Sequence, residues 1–260
     1  MVNIEDILKD GMITLITPVQ GGLTKEVHLA EYRGERYILR RCNGNADRLV
    51  RVSEGMRGTG VVPKLLERRK GDLLYEFIEG RDLTYDDVDL AYEVGRIAGL
   101  ATKIPPSDCP DVDGKFFKSL RYLVEQEIVD PETGKRILEE YARLKPDQME
   151  SSKEVGDLIP GNFRISDSGV FLVDIDSVYT DLKGNCFAKA FLKWFKPLEC
   201  RREFLRGYEE FADSGFLTRD YLQFVYLNFL VRKTCAWHKR GTNYRRHLDR
   251  LNFLLKGDLE

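Results

Sequence analysis

Three oxygen-bearing side chains stand near one another in the second half of the sequence: Asp157, Asn162 and Asp174. Asp157 and Asn162 are five positions apart, directly before a segment that reads as strand, turn and strand, and Asp174 stands at its far end. Because a hairpin returns the chain close to its start, we expect Asn162 and Asp174 to face one small space. Carboxylate and carboxamide oxygens suit Mg²⁺, whose remaining ligands are often substrate phosphates.

Asp157 is then available for a separate task. A carboxylate just ahead of the metal ligands can orient a substrate hydroxyl and accept its proton while the oxygen attacks the terminal phosphate of a nucleotide. The pattern therefore points to phosphoryl transfer. The alternative is ordinary turn chemistry, in which Asp157 satisfies local backbone donors and Asp174 caps a strand end.

The hairpin that joins these side chains, residues 163–174, lies in a region that otherwise reads as helical. Apolar residues recur at three and four positions over residues 88–101 and again over 137–144, and this spacing predicts buried helices. Residues 187–255 carry aromatic side chains at similar intervals. The second part of the chain is therefore predicted to be mainly helical.

The first part of the chain reads as a small antiparallel sheet. Short runs with partial alternation of apolar residues are separated by glycine-containing turns, and this pattern is typical of hairpins. The fold class is therefore α+β, with a sheet lobe over residues 1–79 and a helical lobe over 80–260. The predicted strands cover residues 12–18, 26–32, 36–40 and 73–78.

The charge balance excludes one class of partner. The 260 residues include 41 Lys and Arg against 43 Asp and Glu, a formal net charge of −2, so there is no chain-wide positive field to hold a polyanion. General nucleic-acid binding is not expected. No stretch nears the roughly 18 apolar residues that a membrane helix needs, so we expect no membrane association either.

The cysteines and histidines give no sign of a cross-link or of zinc. Five cysteines, far apart and never in a C-x-x-C pair, indicate neither a disulfide framework nor a zinc cluster, and a reducing cytoplasm suits them best. His28, His238 and His247 lack metal-ligand spacing and are expected at the surface of strands or helices.

The segment Gly-Asp-Leu-Ile-Pro-Gly-Asn at 156–162, followed by Leu-Val-Asp-Ile-Asp at 172–176, resembles the catalytic loop and metal motif of the aminoglycoside phosphotransferase and choline kinase-like family. The resemblance implies a two-lobed protein-kinase-like fold. It also implies an ATP- and Mg²⁺-dependent kinase that phosphorylates a hydroxyl of a metabolite or antibiotic-like acceptor. The family's order of motifs can be followed from Ile13 to Asp176.

By this resemblance, Asp157 is the catalytic base or hydroxyl-orienting residue, and Asn162 and Asp174 are the Mg²⁺ ligands. Asp176 stands where the family often has a second acidic residue. The nucleotide is expected to contact a phosphate-covering loop, a strand cation with its helical glutamate, and a hinge that binds adenine. These residues are Gly21, Gly22, Thr24, Arg40, Glu54, Glu76, Phe77 and Ile78.

Two positions depart from the family pattern. Lys25 stands where the covering loop has Asn, and Val155 stands where the family has His or Asn two places before its catalytic Asp. The enzyme alternative is an atypical protein kinase with a Ser or Thr acceptor on another chain. Val155 and the uncertain placement of Glu54 suggest a further alternative, a nucleotide-binding regulatory module without turnover. The short interval between Asp174 and the next predicted helix argues against a protein kinase. The presence of Asp157, Asn162 and Asp174 together argues against a module without turnover. Only a nucleotide and a small hydroxyl acceptor are expected partners, since no feature indicates an obligate protein partner.

A basic stretch covers residues 231–247. It could receive an acidic or already phosphorylated acceptor, or it could form a solvated helix face. The sequence favours the solvated face, since charge runs usually face water. The aromatic residues of the same region are predicted to be core.

Overall fold

A five-stranded antiparallel sheet occupies the first part of the chain in the computed structural model, which describes residues 3–17, 25–42, 44 and 46–257. The strand order is β1-β2-β3-β5-β4. Arg33 and Gly34, between β2 and β3, both have positive φ, 54° and 79°, as the tightest hairpin turns require. The strands are β1 (Met12–Thr17), β2 (Lys25–Tyr32), β3 (Glu35–Cys42), β4 (Leu65–Arg69) and β5 (Asp72–Glu76).

Two helices pack on this sheet: α1 (Ile4–Asp10), which was not predicted, and α2 (Ala46–Gly55), which contains the Glu54 that the resemblance places on a helix. Asn3 caps α1, and its side chain accepts a hydrogen bond from the Asp6 N–H at 2.8 Å. Ile4 and Ile7 of α1 are fully buried in a small core formed against the sheet. Seven residues give too little periodicity to predict such a helix from sequence.

The second part of the chain is mainly helical, as predicted, and its helices share one continuous apolar core. The helices are α3 (Ala91–Ala101), α4 (Val112–Glu125), α5 (Pro131–Leu144), α6 (Asn185–Lys189), α7 (Leu198–Glu209), α8 (Arg219–Lys239) and α9 (Arg245–Lys256). Directly after α6 the chain makes a π-helical turn over Ala190–Trp194. Within the described ranges, no helix has the length and apolar character to cross a bilayer.

Helices α3 and α7 pack with their backbones in contact. A Cβ at Gly95 would overlap the carbonyl oxygen of Phe204, and a Cβ at Gly207 would overlap that of Tyr92. Phe204 is itself fully buried in the core. The absence of side chains at these glycines is what permits so close an approach.

The predicted hairpin is present, but it is not isolated among the helices. Strand β6 (Arg81–Asp82) adds to it, and the order of the three-stranded sheet is β6-β8-β9. A second, two-stranded sheet is formed by β7, which precedes this hairpin in the sequence, and β10, which follows it. The two strands are antiparallel. The remaining strands are β7 (Ser151–Val155), β8 (Phe163–Ser166), β9 (Gly169–Leu172) and β10 (Val178–Leu182).

The surface prediction was wrong for His247. This residue of α9 is buried, with its ring edge-on to Trp237 at 4.8 Å between centroids. His28 and His238 are partly buried. An imidazole ring packs well against aromatic rings, and sequence spacing does not report that packing. All five cysteines lie among the described residues, and none of them is joined to another by a disulfide bond.

Gly80 follows the hinge and contacts the hairpin so closely that no side chain fits. Its φ is +133°, and a Cβ would overlap the carbonyl oxygen of Ile165 in β8. We expect Gly80→Ala to lower the free energy of unfolding by about 4 kcal/mol or more, because the collision is with backbone. Gly169→Ala is the matched control, since Gly169 has φ +123° but open space around it.

The control should cost only the conformational strain of about 1–3 kcal/mol. Urea unfolding of the two variants measures the difference. If both variants lost the same free energy of unfolding, the close contact between Gly80 and the hairpin would make no contribution to stability beyond the backbone strain.

Candidate active site

The loop that carries Asp157 is held tightly against β10. The Gly156 N–H donates to the Ser177 carbonyl at 2.8 Å, and a Cβ at Gly156 would overlap the ring of Tyr179. Val155, just before it, is fully buried in β7. A glycine is therefore needed where the chain leaves β7, and the loop carrying Asp157 starts from a fixed point.

Asp157 forms an ion pair with Lys189, a residue that the sequence analysis did not identify. The Lys189 side chain is 5% exposed, whereas that of Asp157 is 46% exposed. Burial, and after it the charges of Lys233 and Lys193, lower the pKa of Lys189 to about 6. The carboxylate of Asp157 acts in the opposite direction, since it favours the charged amine.

Asn162 and Asp174 lie next to each other, as predicted. The Asn162 backbone carbonyl accepts from the N–H groups of Val173 at 2.9 Å and Asp174 at 3.4 Å. The Asn162 side-chain amide donates to the Asp157 carbonyl at 2.6 Å. One asparagine thus links the loop of Asp157 to the residues that follow β9.

Arg40 of β3 is buried and reaches the same place from the first sheet. Its Nη1 donates to Asp176 Oδ2 at 2.9 Å and lies 3.4 Å from Asp174 Oδ1. Its Nη2 donates to the Val173 carbonyl at 2.8 Å. Arg40 is therefore not a solvated strand end, whereas its neighbour Arg41 is exposed.

The expected pairing of Glu54 with Arg40 was wrong. Glu54 is exposed on α2, and the contacts of Arg40 go to Asp174, Asp176 and the Val173 carbonyl instead. Helix α2 supplies a cation from another of its faces: Arg48 donates to Asp176 Oδ1 at 2.9 Å. Asp176 thus lies between two arginines, which no residue spacing in the sequence could indicate.

The predicted hinge connects the first sheet to β6. The Glu76 carboxylate accepts from the Lys64 N–H at 2.7 Å, and the Ile78 carbonyl accepts from Arg164 Nη1 at 3.0 Å. The Arg164 guanidinium also lies 5.1 Å from the centre of the Phe77 ring. Arg164 belongs to β8, so the hinge is tied to the hairpin. The predicted loop residues Gly21, Gly22 and Thr24 lie outside the described residues.

Searches by sequence found no matching family model and no matching curated protein. Solved structures do match. An ethanolamine kinase from Plasmodium vivax covers 100% of this chain and 84% of its own, with 14% identity and a TM-score of 0.67. A choline kinase from Streptococcus pneumoniae covers 95% and 94%, with 16% identity and a TM-score of 0.66. A thermostable mutant of an aminoglycoside phosphotransferase covers 95% and 94%, with 11% identity and a TM-score of 0.64.

The chain has the protein-kinase-like fold of these choline kinase and aminoglycoside phosphotransferase structures. The α+β class and the resemblance inferred from the sequence are confirmed at this level. Two further matching structures hold ligands. One is the same choline kinase in complex with AMP, and the other is an amicoumacin kinase in complex with AMP-PNP, Ca²⁺ and Ami.

Within this kinase-like fold, the oxygen donors suit a hard cation that is also bound by phosphates. Asn162 and Asp174 offer an amide and a carboxylate, too few ligands to complete the shell of Mg²⁺ without others. Among the residues that the structure describes, no cluster of three or more His, Cys, Asp or Glu side chains could hold a metal. Both carboxylate oxygens of Asp176 accept from arginines, so Asp174 is the better ligand of the two.

Proposed function

We propose that this protein is an ATP- and Mg²⁺-dependent kinase that transfers the γ-phosphoryl group to a hydroxyl of a small molecule. The observation that carries the proposal is the meeting of Asp157, Asn162 and Asp174 beside Arg40. The fold neighbours include kinases of choline, ethanolamine and amicoumacin, and two of the matching structures hold adenine nucleotides.

The nucleotide would be held between the first sheet and the hairpin. The backbone of the hinge, Glu76 to Ile78, would bind adenine, and Arg40 would present its guanidinium to the phosphates as a planar fork of donors. Asn162 and Asp174 would hold Mg²⁺, which supplies neutralisation of phosphate charge when bound. Arg40 already lies 3.4 Å from Asp174, so this one buried cation would be close both to the phosphates and to the proposed metal ligand.

Asp157 would act on the acceptor. Its carboxylate orients the hydroxyl and takes the proton as the new O–P bond to the γ-phosphorus forms and the bond between that phosphorus and the β–γ bridging oxygen breaks, releasing ADP. Lys189 holds the carboxylate of Asp157 in one orientation through the ion pair. Most of the rate enhancement comes from such positioning and from charge stabilisation.

A small molecule suits the site better than a protein acceptor. Between Asp174 and α6 the chain forms β10, which pairs along its whole length with β7. This leaves no long segment on which a peptide substrate could be organised. The kinase alternative with a Ser or Thr acceptor on another chain is therefore the weaker reading.

Removal of the proposed metal ligand tests the function. We expect Asp174→Ala to lose the Mg²⁺-dependent part of its nucleotide affinity, by about tenfold or more, because the ion that bridges the phosphates is then poorly held. Calorimetric titration with ATP analogues, with and without Mg²⁺, measures this. Asp167→Ala is the matched control, since it removes an exposed carboxylate from the turn of the same hairpin. Equal nucleotide affinity in wild type and Asp174→Ala at every Mg²⁺ concentration would contradict the assignment.

A further inference from the structure

A second group of cations extends from Asp157 into the helical part of the chain. The group, here called the basic cluster, consists of Lys189, Lys193, Lys233, Arg246 and Arg250. Lys189 is paired with Asp157, and Lys193 follows it in the adjoining π-helical turn. The ammonium groups of Lys193 and Lys233 lie 5.9 and 5.8 Å from the centre of the same ring, that of Phe229. Two ammonium groups thus share one aromatic contact from different helices.

Four of the five residues of the basic cluster are less exposed to water than the residues of a solvated helix face would be. Lys189 is buried, and Lys193, Lys233 and Arg250 are partly buried. Nη1 of Arg250 is buried without a hydrogen-bond partner among the described residues. The prediction that this stretch forms a solvated face was therefore wrong for Lys233, although Arg246 is exposed.

The cluster carries few compensating negative charges. Within the described ranges, the contact between Lys189 and Asp157 is the one ion pair that a member of the cluster makes. Burial, followed by the charges of Lys233, Arg250 and Arg246, lowers the pKa of Lys193 to about 8. Burial also lowers the pKa of Lys233, with Arg232 and Arg240 acting in the same direction and Asp181 against it.

Aromatic rings alone do not account for this arrangement. A ring face attracts a nearby cation, but it does not remove the repulsion between two cations placed on one ring. The neighbouring His247, between Phe229 and Trp237, is held neutral, since burial and then Lys193, Arg250, Lys233 and Arg246 lower its pKa to about 4. An anion bound among these side chains would offset the repulsion.

From the position of the basic cluster beside Asp157, we infer that the acceptor is a hydroxyl compound that already carries an anionic group, a phosphate or a carboxylate. The inference rests on the proposed kinase function and names its substrate class. The anionic group contacts Lys193 and Lys233 while the hydroxyl meets Asp157. Lys189 and Lys193 are four residues apart, a spacing that places Cβ atoms roughly 5–6 Å from each other on a helix, so the anionic group and the hydroxyl belong to one small acceptor. Choline, the substrate named for one fold neighbour, is instead a cation.

A binding experiment tests the inference without turnover. The probe is inorganic phosphate, titrated into the protein with saturating ADP and Mg²⁺ while the melting temperature is measured. We expect phosphate to raise the melting temperature of the wild type. We expect Lys193→Met and Lys233→Met each to weaken the phosphate affinity at least tenfold, yet to melt above the wild type when phosphate is absent, because a repelling buried charge has been removed.

Lys118→Met is the matched control, because Lys118 is exposed on α4 and outside the cluster. It should leave both the ligand-free melting temperature and the phosphate response unchanged. The inference would be overturned if Lys193→Met and Lys233→Met melted below the wild type and phosphate still raised their melting temperatures. The two lysines would then only stabilise the fold through their contacts with the aromatic rings. No rise in melting temperature with ADP and Mg²⁺ alone would count against the kinase proposal instead.

Turnover identifies the anion. Glycerol, glycerol 3-phosphate, glycerate and choline serve as four matched acceptors of similar size with neutral, phosphorylated, carboxylated and cationic character. We expect ADP production to rise with an anionic member and not with the other two. The comparison of glycerol 3-phosphate with glycerate separates phosphate from carboxylate. Phosphorylation of choline or glycerol, without phosphorylation of either anionic compound, would overturn the anionic assignment while supporting the kinase function. If none of the four compounds is phosphorylated, the phosphate-binding experiment decides whether the acceptor is anionic.

Discussion

Asp157→Asn should slow phosphoryl transfer by about 10²- to 10⁴-fold while leaving the nucleotide affinity close to that of the wild type. The amide has the shape of the carboxylate but cannot take the acceptor's proton. It also loses the ion pair with Lys189 that fixes the side chain. Because we propose that Asp157 acts in the acceptor half of the site and that Arg40 and Asp174 act on the nucleotide, we expect nucleotide binding to be preserved. Single-turnover kinetics and calorimetric nucleotide titration measure the two quantities separately.

Asp147→Asn is the control for this substitution, since Asp147 is an exposed loop residue. It should match the wild type in both measurements. If Asp157→Asn turned over at a near-normal rate, Asp157 would have no part in the chemistry. If it lost nucleotide affinity as well, the division of the site into a nucleotide half and an acceptor half would be wrong.

Arg40→Ala should weaken nucleotide binding at least tenfold and also lower the free energy of unfolding by about 1–3 kcal/mol. The first effect follows from the loss of charge-assisted hydrogen bonds to the phosphates. The second follows because Asp176, whose side chain is 10% exposed, would lose the 2.9 Å contact with Arg40 Nη1. Both effects arise from one buried side chain, so nucleotide affinity and unfolding should be measured on the same preparations.

Two further variants separate charge from geometry at this position. Arg40→Lys keeps the charge but cannot contact Asp176 and the Val173 carbonyl with separate nitrogens of one fork, so we expect an intermediate defect. Arg41→Ala removes the adjacent, exposed arginine and should behave as the wild type. Normal nucleotide affinity in Arg40→Ala, together with reduced stability, would leave Arg40 as a purely structural residue.

The sequence predicted the parts of the molecule that depend on local order. The spacing of Asp157, Asn162 and Asp174 around a hairpin was enough to place Asn162 beside Asp174, because a short hairpin allows few geometries. The helical spacing of apolar residues predicted helices over residues 88–101 and 137–144, and the structure has helices at Ala91–Ala101 and Pro131–Leu144. In both cases the information lies within a few turns of chain.

Contacts between distant segments could not be predicted in this way. Lys189 and Arg48 are unremarkable in the sequence, and each acquires its role only when a helix brings it to a carboxylate far away in the chain. Glu54 was predicted to pair with Arg40 because it is a glutamate in the right interval of the sequence. Whether a helical residue faces the core or solvent depends on where the helix begins and which elements it packs against. The partial burial of Lys233 likewise depends on the packing of α8, whose apolar residues are spread around the whole helix.

The contact between α3 and α7 has an evolutionary consequence. At Gly95, Gly99 and Gly207 the atoms nearest to an added methyl group would be main-chain atoms of the opposite helix. A change at one of these positions therefore has no compensating substitution across the interface, since the obstructing carbonyl is present whatever residue supplies it. Descendants of this sequence can keep these glycines, or they can move the two helices apart. They cannot compensate for a larger residue by a change in the facing residue. We therefore expect these positions to vary very little and to show no covariation with the residues across the interface.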